Sequence, residues 1–342
     1  MDQHEKLLQA YKSIPRESFT YWPESAEAEL TERLHRFTLD YSIQAVKGRL
    51  GWMVKRGKGR EGVGAVPYRP DDWKIKLDAE AEQLFNRKAL EHELRLLVMT
   101  EDGWYLLGTK NIRDIEAIAA FDPIDNSGEF QAGLDTPQYS VFTFFARNLK
   151  PLVGTTCDFL KEKALIYKNG ANTLLEYSDD IDWENRVVRW KATERQIELP
   201  PVIHDVTDPG FRLASYMGSN EYSLPFIDHF RELLKKMNPH GKFHGKGGTH
   251  AYYLMAIGGL DTYVMVDELR TETSAAYHFA RAAGFNIWVY SKNGNPREFA
   301  EYEFLPEFED NVHTLDLVIT SNSPIVRDQI ATLYYESLEK AA

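Results

Sequence analysis

The sequence has 342 residues, enough at ~150 per domain for about two domains or one large α/β unit. Its 43% hydrophobic and 27% charged residues describe an ordinary globular chain and exclude a disordered tail, a collagen or coiled-coil rod and, with Cys157 the single cysteine, a disulfide-stapled miniprotein. Forty Lys and Arg against 52 Asp and Glu leave a net charge of −12, which removes any global attraction to nucleic-acid backbones or anionic membranes. With a polar N-terminus and no apolar run of ~18 residues, a cytoplasmic protein without nucleic-acid or membrane partners is expected.

In chain order, the first expected element is a helix from Glu24 to Val46. Leu30, Leu34, Phe37 and Tyr41 share one face at three- and four-residue steps, and Pro15 and Pro23 break the chain before it. The Gly- and base-rich stretch 51–73 reads as a mobile loop or hairpin. A second helix is expected over Leu77–Leu96, with Ala81, Leu84, Phe85 and Leu90 among its apolar positions. The period then changes. LRLLVMT, AIAAFDPID, YSVFTFFARN, KPLVGTTCDF, ALIYKNG, NTLLEY and RVVRWKA are short apolar or alternating runs bounded by turn residues, which predicts strands to about residue 192. Helical spacing returns at Pro225–Met237 and Thr249–Ile257. DTYVMV reads as a strand, Glu272–Ala283 as a helix ended by Gly284, FNIWVYS and LDLVITSN as strands, and the last segment as a helix with Pro324 near its start. The organisation expected is 1–70 as N-terminal helices and a basic Gly-rich loop, 71–200 as an α/β half with the central sheet, and 201–342 as a C-terminal α/β half. No linker separates them.

The most informative segment is Phe121-Asp122-Pro123-Ile124-Asp125-Asn126-Ser127. The apolar run AIAAF delivers two carboxylates to its C-terminal end, where strands of α/β sheets present functional groups. Proline fixes the backbone between them, and the Ile124 carbonyl can also turn toward a cation. Asn126 and Ser127 resemble the start of a helix or turn whose N–H groups could hold an anion. Upstream, Met99-Thr100-Glu101-Asp102 puts further carboxylates at the end of another predicted strand. Hard cations such as Mg²⁺ take oxygen ligands, and no His/Cys ligand pattern competes. On spacing alone, solvated strand-end acids and a turn are the stronger reading, because Asp-Pro and Asp-Asn are common turn dipeptides.

AFDPIDNS resembles the Asp-Pro-Ile/Leu-Asp-Gly-Thr/Ser metal signature of the inositol monophosphatase and fructose-1,6-bisphosphatase superfamily. MTED stands about twenty residues upstream, where that family has a Gly-Glu-Glu motif, and KIKLDAEAE is similar to its Val-Thr-x-x-Asp-x-x-x-Glu helix start. Downstream, GGTHAYYLMAIGGLDTYVMV and RTETSAAYHFARAAGF resemble its small-residue helix, Gly-x-x-Asp strand and Trp-Asp-x-Ala-Ala-Gly motif. The similarity covers about residues 70 to 340, and its specificity lies in four motifs standing in the family's order.

The resemblance implies an α/β layered sandwich of the inositol monophosphatase/fructose bisphosphatase type, a phosphoric monoester hydrolase, and a homodimer. It assigns Glu101, Asp122, the Ile124 carbonyl, Asp125 and Glu272 to Mg²⁺. Asp78 would hold or activate the attacking water with Glu101 and Ser127, and Asp125 and the N–H groups of Asn126 and Ser127 would receive the substrate. Three positions depart from the pattern: Asn126 replaces glycine, Thr271-Glu272 replaces Trp-Asp, and Met265 replaces a substrate-binding glutamate. A methionine cannot accept hydrogen bonds from sugar hydroxyls, which argues against myo-inositol phosphate.

Other signals weigh less. Gly57-Lys58-Gly59-Arg60-Glu61-Gly62 matches G-x-G-x-x-G but lacks the surrounding βαβ unit. In the resembling family a mobile loop closes over the metal site here, so Lys55, Arg56, Lys58 or Arg60 would touch substrate phosphate; a solvated charged loop is an equal alternative. PHGKFHGKGGTH reads as a surface loop, SDDIDWE as a solvated acidic turn, the aromatic residues as core, and Cys157 as a buried small hydrophobe. The expected function is a Mg²⁺-dependent phosphatase that hydrolyses a small phosphorylated metabolite, a sugar or cyclitol phosphate, by a water activated by two metal ions. The alternatives are a relative that binds a phosphorylated ligand or partner without turnover and a nucleotide 3′-phosphatase.

Overall fold

The computed structural model describes residues 24–66, 69–100, 103–134, 136–182, 184–185, 187–217, 220–291, 295–299 and 314–341. The chain divides into two compact units, Met1–Gln196 and Ile197–Ala342.

In the first unit, α1 (Glu24–Lys47) buries Leu30, Leu34, Phe37 and Tyr41, the stripe its sequence predicts. The stretch expected as loop or hairpin opens instead with a helix, α2 (Arg49–Lys55), followed by the antiparallel hairpin β1 (Gly62–Val66) and β2 (Arg69–Ile75). Helix α3 (Lys76–Glu91) buries Ala81, Leu84, Phe85 and Ala89, whereas Leu90 is exposed. It stops short of Leu96 because Glu93, at φ 53°, turns left-handed. The Glu93 N–H donates to the Leu90 carbonyl at 3.1 Å and the Leu94 N–H to the Ala89 carbonyl at 2.9 Å, a Schellman ending.

Eight strands follow: β3 (Leu96–Thr100), β4 (Gly103–Leu107), β5 (Ala117–Asp125), β6 (Tyr139–Phe145), β7 (Pro151–Asp158), β8 (Lys163–Lys168), β9 (Ala171–Asp182) and β10 (Val187–Arg195). A short helix, α4 (Ser127–Gln131), interrupts them after β5. The sheet order is β10-β9-β8-β7-β6-β5-β3-β4, antiparallel throughout except that β3 and β5 run parallel. The acidic run Ser178–Asp182 is not a turn. It extends β9, and Asp182 pairs with Val187 at the start of β10. Edge strand β10 is exposed along its whole length, so Trp190, like Trp52 of α2, is solvent-facing and not core.

The aromatic residues of α1, α3, β5 and β6 pack as one cluster. Phe85 stacks on Phe121 with centroids 4.5 Å apart, Tyr41 meets Phe142 at 5.1 Å, and Phe37 meets Phe144 at 5.2 Å. Each such pair contributes about 0.5–1.5 kcal/mol beyond area burial. Phe121 immediately precedes Asp122, so this cluster fixes the strand that carries the candidate ligands.

In the second unit, β11 (Arg212–Ala214), β12 (Lys242–His244), β13 (Thr262–Leu269), β14 (Asn286–Tyr290), β15 (Arg297–Glu298) and β16 (Thr314–Ser321) form a sheet ordered β12-β11-β13-β16-β14-β15. Strand β12 lies inside the segment expected as a loop and pairs parallel with β11. Helices α5 (Asn220–Lys236) and α8 (Pro324–Ala341) pack together over a core that includes Leu213, Phe230, Val264, Leu317 and Ile330. Helices α6 (Thr249–Ala256) and α7 (Arg270–Ala282) pack on each other. Among the described residues, no helix is long and apolar enough to cross a membrane.

Candidate metal and phosphate site

Strand β5 reaches the site through a buried run in which Asp122 is the one half-buried position. Beyond it the ladder with β6 slips. Asp122 pairs with Val141 and Asp125 with Tyr139, so Pro123 and Ile124 stand opposite the single residue Ser140. A proline has no N–H to give the ladder, and a bulge is where a strand accommodates one. The bulge therefore separates the two carboxylates while keeping both on β5. Asp125 is 8% exposed and Ile124 2% exposed.

Asn126 then takes a left-handed conformation, φ 68° and ψ 29°, and leads into α4. Asparagine tolerates this region better than other residues with a side chain, which explains how it stands in a glycine's place. Its side chain is also committed: Nδ2 donates to the Pro137 carbonyl at 3.0 Å. Ser127, half-buried, is the first residue of α4, and the buried Phe130 donates its N–H to the Asn126 carbonyl at 3.1 Å.

Asp78 is the third residue of α3 and 4% exposed. Its Oδ2 accepts the Ile75 N–H at 2.8 Å, so the carboxylate fastens the start of its own helix. Arg60 lies beside these elements. Its guanidinium stacks over the Phe130 ring with Cζ 4.9 Å from the centroid. The carbonyls of its neighbours Gly59 and Glu61 accept the N–H groups of Leu77 and Lys76 at 3.0 and 2.8 Å. Lys58 is exposed.

Glu101 lies outside the described residues. Met99 is level with Ala120 in the parallel β3–β5 pair, so the described ends of these strands run out toward the same edge of the sheet. Glu272 is the third residue of α7, in the second unit, and its side chain lies outside what is described. Among the described residues, no three His, Cys, Asp or Glu side chains gather as a metal cluster. The described donors at the bulge are two carboxylates and one backbone carbonyl. This all-oxygen set suits a hard cation that keeps water ligands and suits no thiophilic metal.

Beneath the bulge, Tyr41 of α1 hydrogen-bonds Ser140 at 2.7 Å. Burial pushes the Tyr41 hydroxyl well above the usual phenol range; the Cys157 and Asp122 charges add to the rise and the Ser140 bond opposes it. Burial likewise pushes the Cys157 thiol up to about 12, against a weak bond from Thr155. A neutral, buried thiol is no nucleophile. In the second unit, partial burial and then the neighbouring His250 and Lys246 lower the pKa of His244, while His250 is 4% exposed at the start of α6. Two functions of the sequence motifs emerge only in three dimensions. Asp261, in the Gly-x-x-Asp segment, clamps Arg212 through bonds of 2.8, 3.0 and 2.7 Å to its N, Nε and Nη2. Glu268, fully buried, accepts Tyr263 Oη at 2.9 Å and Thr273 Oγ1 at 3.1 Å, which joins β13 to α7.

An α/β layered protein with a carboxylate-bearing bulge at the end of a central strand defines the class. Among solved structures, the chain is similar to an inositol monophosphatase of Thermotoga maritima at 16% identity, with a TM-score of 0.60 over 89% of this chain and 99% of that one. It is similar to the extragenic suppressor protein suhB of Bartonella henselae at 12% identity, with a TM-score of 0.61 over 90% and 99% of the two chains. An inositol monophosphatase from Anabaena (Nostoc) matches at 14% identity, with a TM-score of 0.55 over 89% and 96%. No family model matches the sequence, and no curated protein matches it. The chain thus has the fold of the inositol monophosphatase/fructose-1,6-bisphosphatase superfamily, as its motifs predict.

Proposed function

We propose that this protein is a Mg²⁺-dependent phosphatase that hydrolyses a small phosphorylated metabolite, a sugar or cyclitol phosphate. The observation that supports this reading is the β5 bulge, which falls between Asp122 and Asp125 at the end of the strand and is followed by the left-handed Asn126 before α4. Asp122, the Ile124 carbonyl and Asp125, with Glu101, would hold the cation. Bound there, Mg²⁺ would supply a Lewis acid that makes water nucleophilic at neutral pH and offsets charge on the leaving oxygen. Asp78, rigid through its bond to the Ile75 N–H, orients the attacking water together with Glu101 and Ser127. Asp125 and the amides of Asn126 and Ser127 receive the ester. The attacking oxygen forms a bond to phosphorus, the ester P–O bond breaks, and the proton lost by the water ends on the released alcohol. Two of the three structural neighbours named above are described as inositol monophosphatases. Met265, 4% exposed where that family has a glutamate, favours a substrate other than myo-inositol phosphate.

A second reading, ligand binding without turnover, draws support from Asp78, whose carboxylate is already engaged as the α3 cap. Phosphate release from sugar, inositol and nucleotide phosphates, with and without Mg²⁺ and beside Asp122→Asn, separates the two. Release that needs Mg²⁺ and is lost in the variant is expected. Mg²⁺ binding without release from any member would favour the second reading.

A further inference from the structure

Asp122 and Asp125 stand three residues apart on β5, and in a regular strand that spacing puts side chains on opposite faces. Here the ladder places Asp122 opposite Val141 and Asp125 opposite Tyr139. Directly opposed residues share a face, and Val141 and Tyr139 are two apart on β6, so both carboxylates point to the same side of the sheet. The bulge makes this so. Without it, Asp125 would pair one residue further along β6, at Gln138, and turn to the other face. Whatever fixes the bulge at Ser140 therefore fixes the two carboxylates relative to each other.

Ser140 is tied from below. It alternates with Tyr139 and Val141, so its side chain points to the face that α1 covers, where the Tyr41 and Ser140 hydroxyls stand 2.7 Å apart. Both residues are fully buried. The rings packed on Tyr41, those of Phe37, Phe85, Phe121 and Phe142 with centroids 5.1–6.4 Å away, cannot replace that bond. Regular pairing can be regained in two ways. Either Ile124 turns out of the core cluster it shares with Tyr41, or β6 slides by one residue and carries Ser140 away. The slide would leave the Tyr41 hydroxyl unpaired among aromatic rings, at a cost of about 1–3 kcal/mol. We propose that Tyr41 and Ser140 form a positioning pair, whose bond holds β6 in the register that keeps the bulge opposite Ser140 and both carboxylates on one face. Neither residue touches the substrate. The consequence for metal binding rests on the reading above.

The test has an internal control, because α1 makes a second buried bond of the same kind. Ser42 Oγ and Tyr177 Oη stand 2.6 Å apart, with Tyr177 on β9 and away from the bulge. Calorimetric titration of Mg²⁺ into Tyr41→Phe should show affinity about tenfold weaker than wild type, whereas Tyr177→Phe should bind as wild type does. Each variant loses one buried hydrogen bond, so a merely structural role would move the two alike. The double variant Tyr41→Phe/Ser140→Ala sharpens the contrast and carries the test if Tyr41→Phe alone does not fold. With both hydroxyls gone no polar group is stranded, so its melting temperature should recover toward wild type while its Mg²⁺ affinity stays weak. Wild-type affinity in the double variant, or equal weakening in Tyr177→Phe, overturns the proposal and leaves the phosphatase reading intact. If the wild type binds no Mg²⁺, the metal reading fails, and amide hydrogen exchange over residues 118–127 decides for the pair. Faster exchange there in the double variant, with Tyr177→Phe unchanged, supports the register role; exchange as in wild type overturns it.

Discussion

Replacing Asn126 isolates the left-handed turn that ends β5. The residue contributes twice: it occupies φ 68° and ψ 29°, and its Nδ2 donates to the Pro137 carbonyl at 3.0 Å. Asn126→Ala loses the hydrogen bond, about 1 kcal/mol, and meets a left-handed penalty of about 1 kcal/mol, for a total near ~2 kcal/mol. Asn126→Gly loses the same bond but relieves the backbone; against the greater freedom of its unfolded chain, the net cost is about 0–1 kcal/mol. Asn126→Val adds a β-branch in a region such residues avoid and should cost about 3 kcal/mol. The predicted stability order is Asn and Gly above Ala above Val. Urea midpoints at constant slope provide the measurement, and melting temperatures should fall by about 4–8 °C for the alanine variant. Phosphate release should follow the same order, with the glycine variant closest to wild type. If Ala is as stable as Gly, the left-handed turn is not what position 126 requires and the reasoning fails.

Three further outcomes follow from single side chains. Cys157, with its thiol pushed up to about 12 by burial, should resist iodoacetamide at pH 8 in the folded protein and react once urea unfolds it; rapid labelling of the native state would contradict its burial. Burial alone would raise the pKa of Glu162, but its contacts with Lys47, at 2.8 Å, and Lys55 carry the net shift downward. Its stabilisation is therefore present above the unfolded value near 4.5 and lost as pH falls through the folded one. Glu162→Gln should cost under about 1 kcal/mol at pH 7, and the difference from wild type should shrink below about pH 4.5; a pH-independent difference would refute the pairing. Asp261→Asn leaves the Arg212 guanidinium poorly matched in a site where the Asp261 side chain is 3% exposed. Denaturation should register a loss of about 2–3 kcal/mol, and a loss under about 0.5 kcal/mol would show the clamp to be dispensable.

Periodic and punctuated features were legible in the sequence, and features that depend on distant partners were not. Helix α7 could be ended correctly because Gly284 is the residue type a Schellman turn prefers, and its φ is 89°. Helix α3 ends by the same hydrogen-bond pattern at Glu93, which carries no such mark, and the apolar period runs on to Leu96 without a stop signal. The acidic run in β9 looked like a solvated turn because its side chains are exposed, yet the backbone ladder with β10 needs no apolar face. At the candidate site, the left-handed turn at Asn126 was legible because asparagine stands where the resembling motif has glycine. The contact between Arg60 and Phe130 and the clamp of Asp261 on Arg212 join residues with no shared local pattern, and only folding brings them together.

The central claim is that Asp122 and Asp125 on the β5 bulge hold a hard cation. Calorimetric titration of Mg²⁺ into the wild type and into Asp125→Asn, each checked for an unchanged melting temperature, tests it most directly. Saturable binding to the wild type, weakened by about tenfold or more in the variant, is the predicted result. Equal binding by both proteins, or none by the wild type, would contradict it.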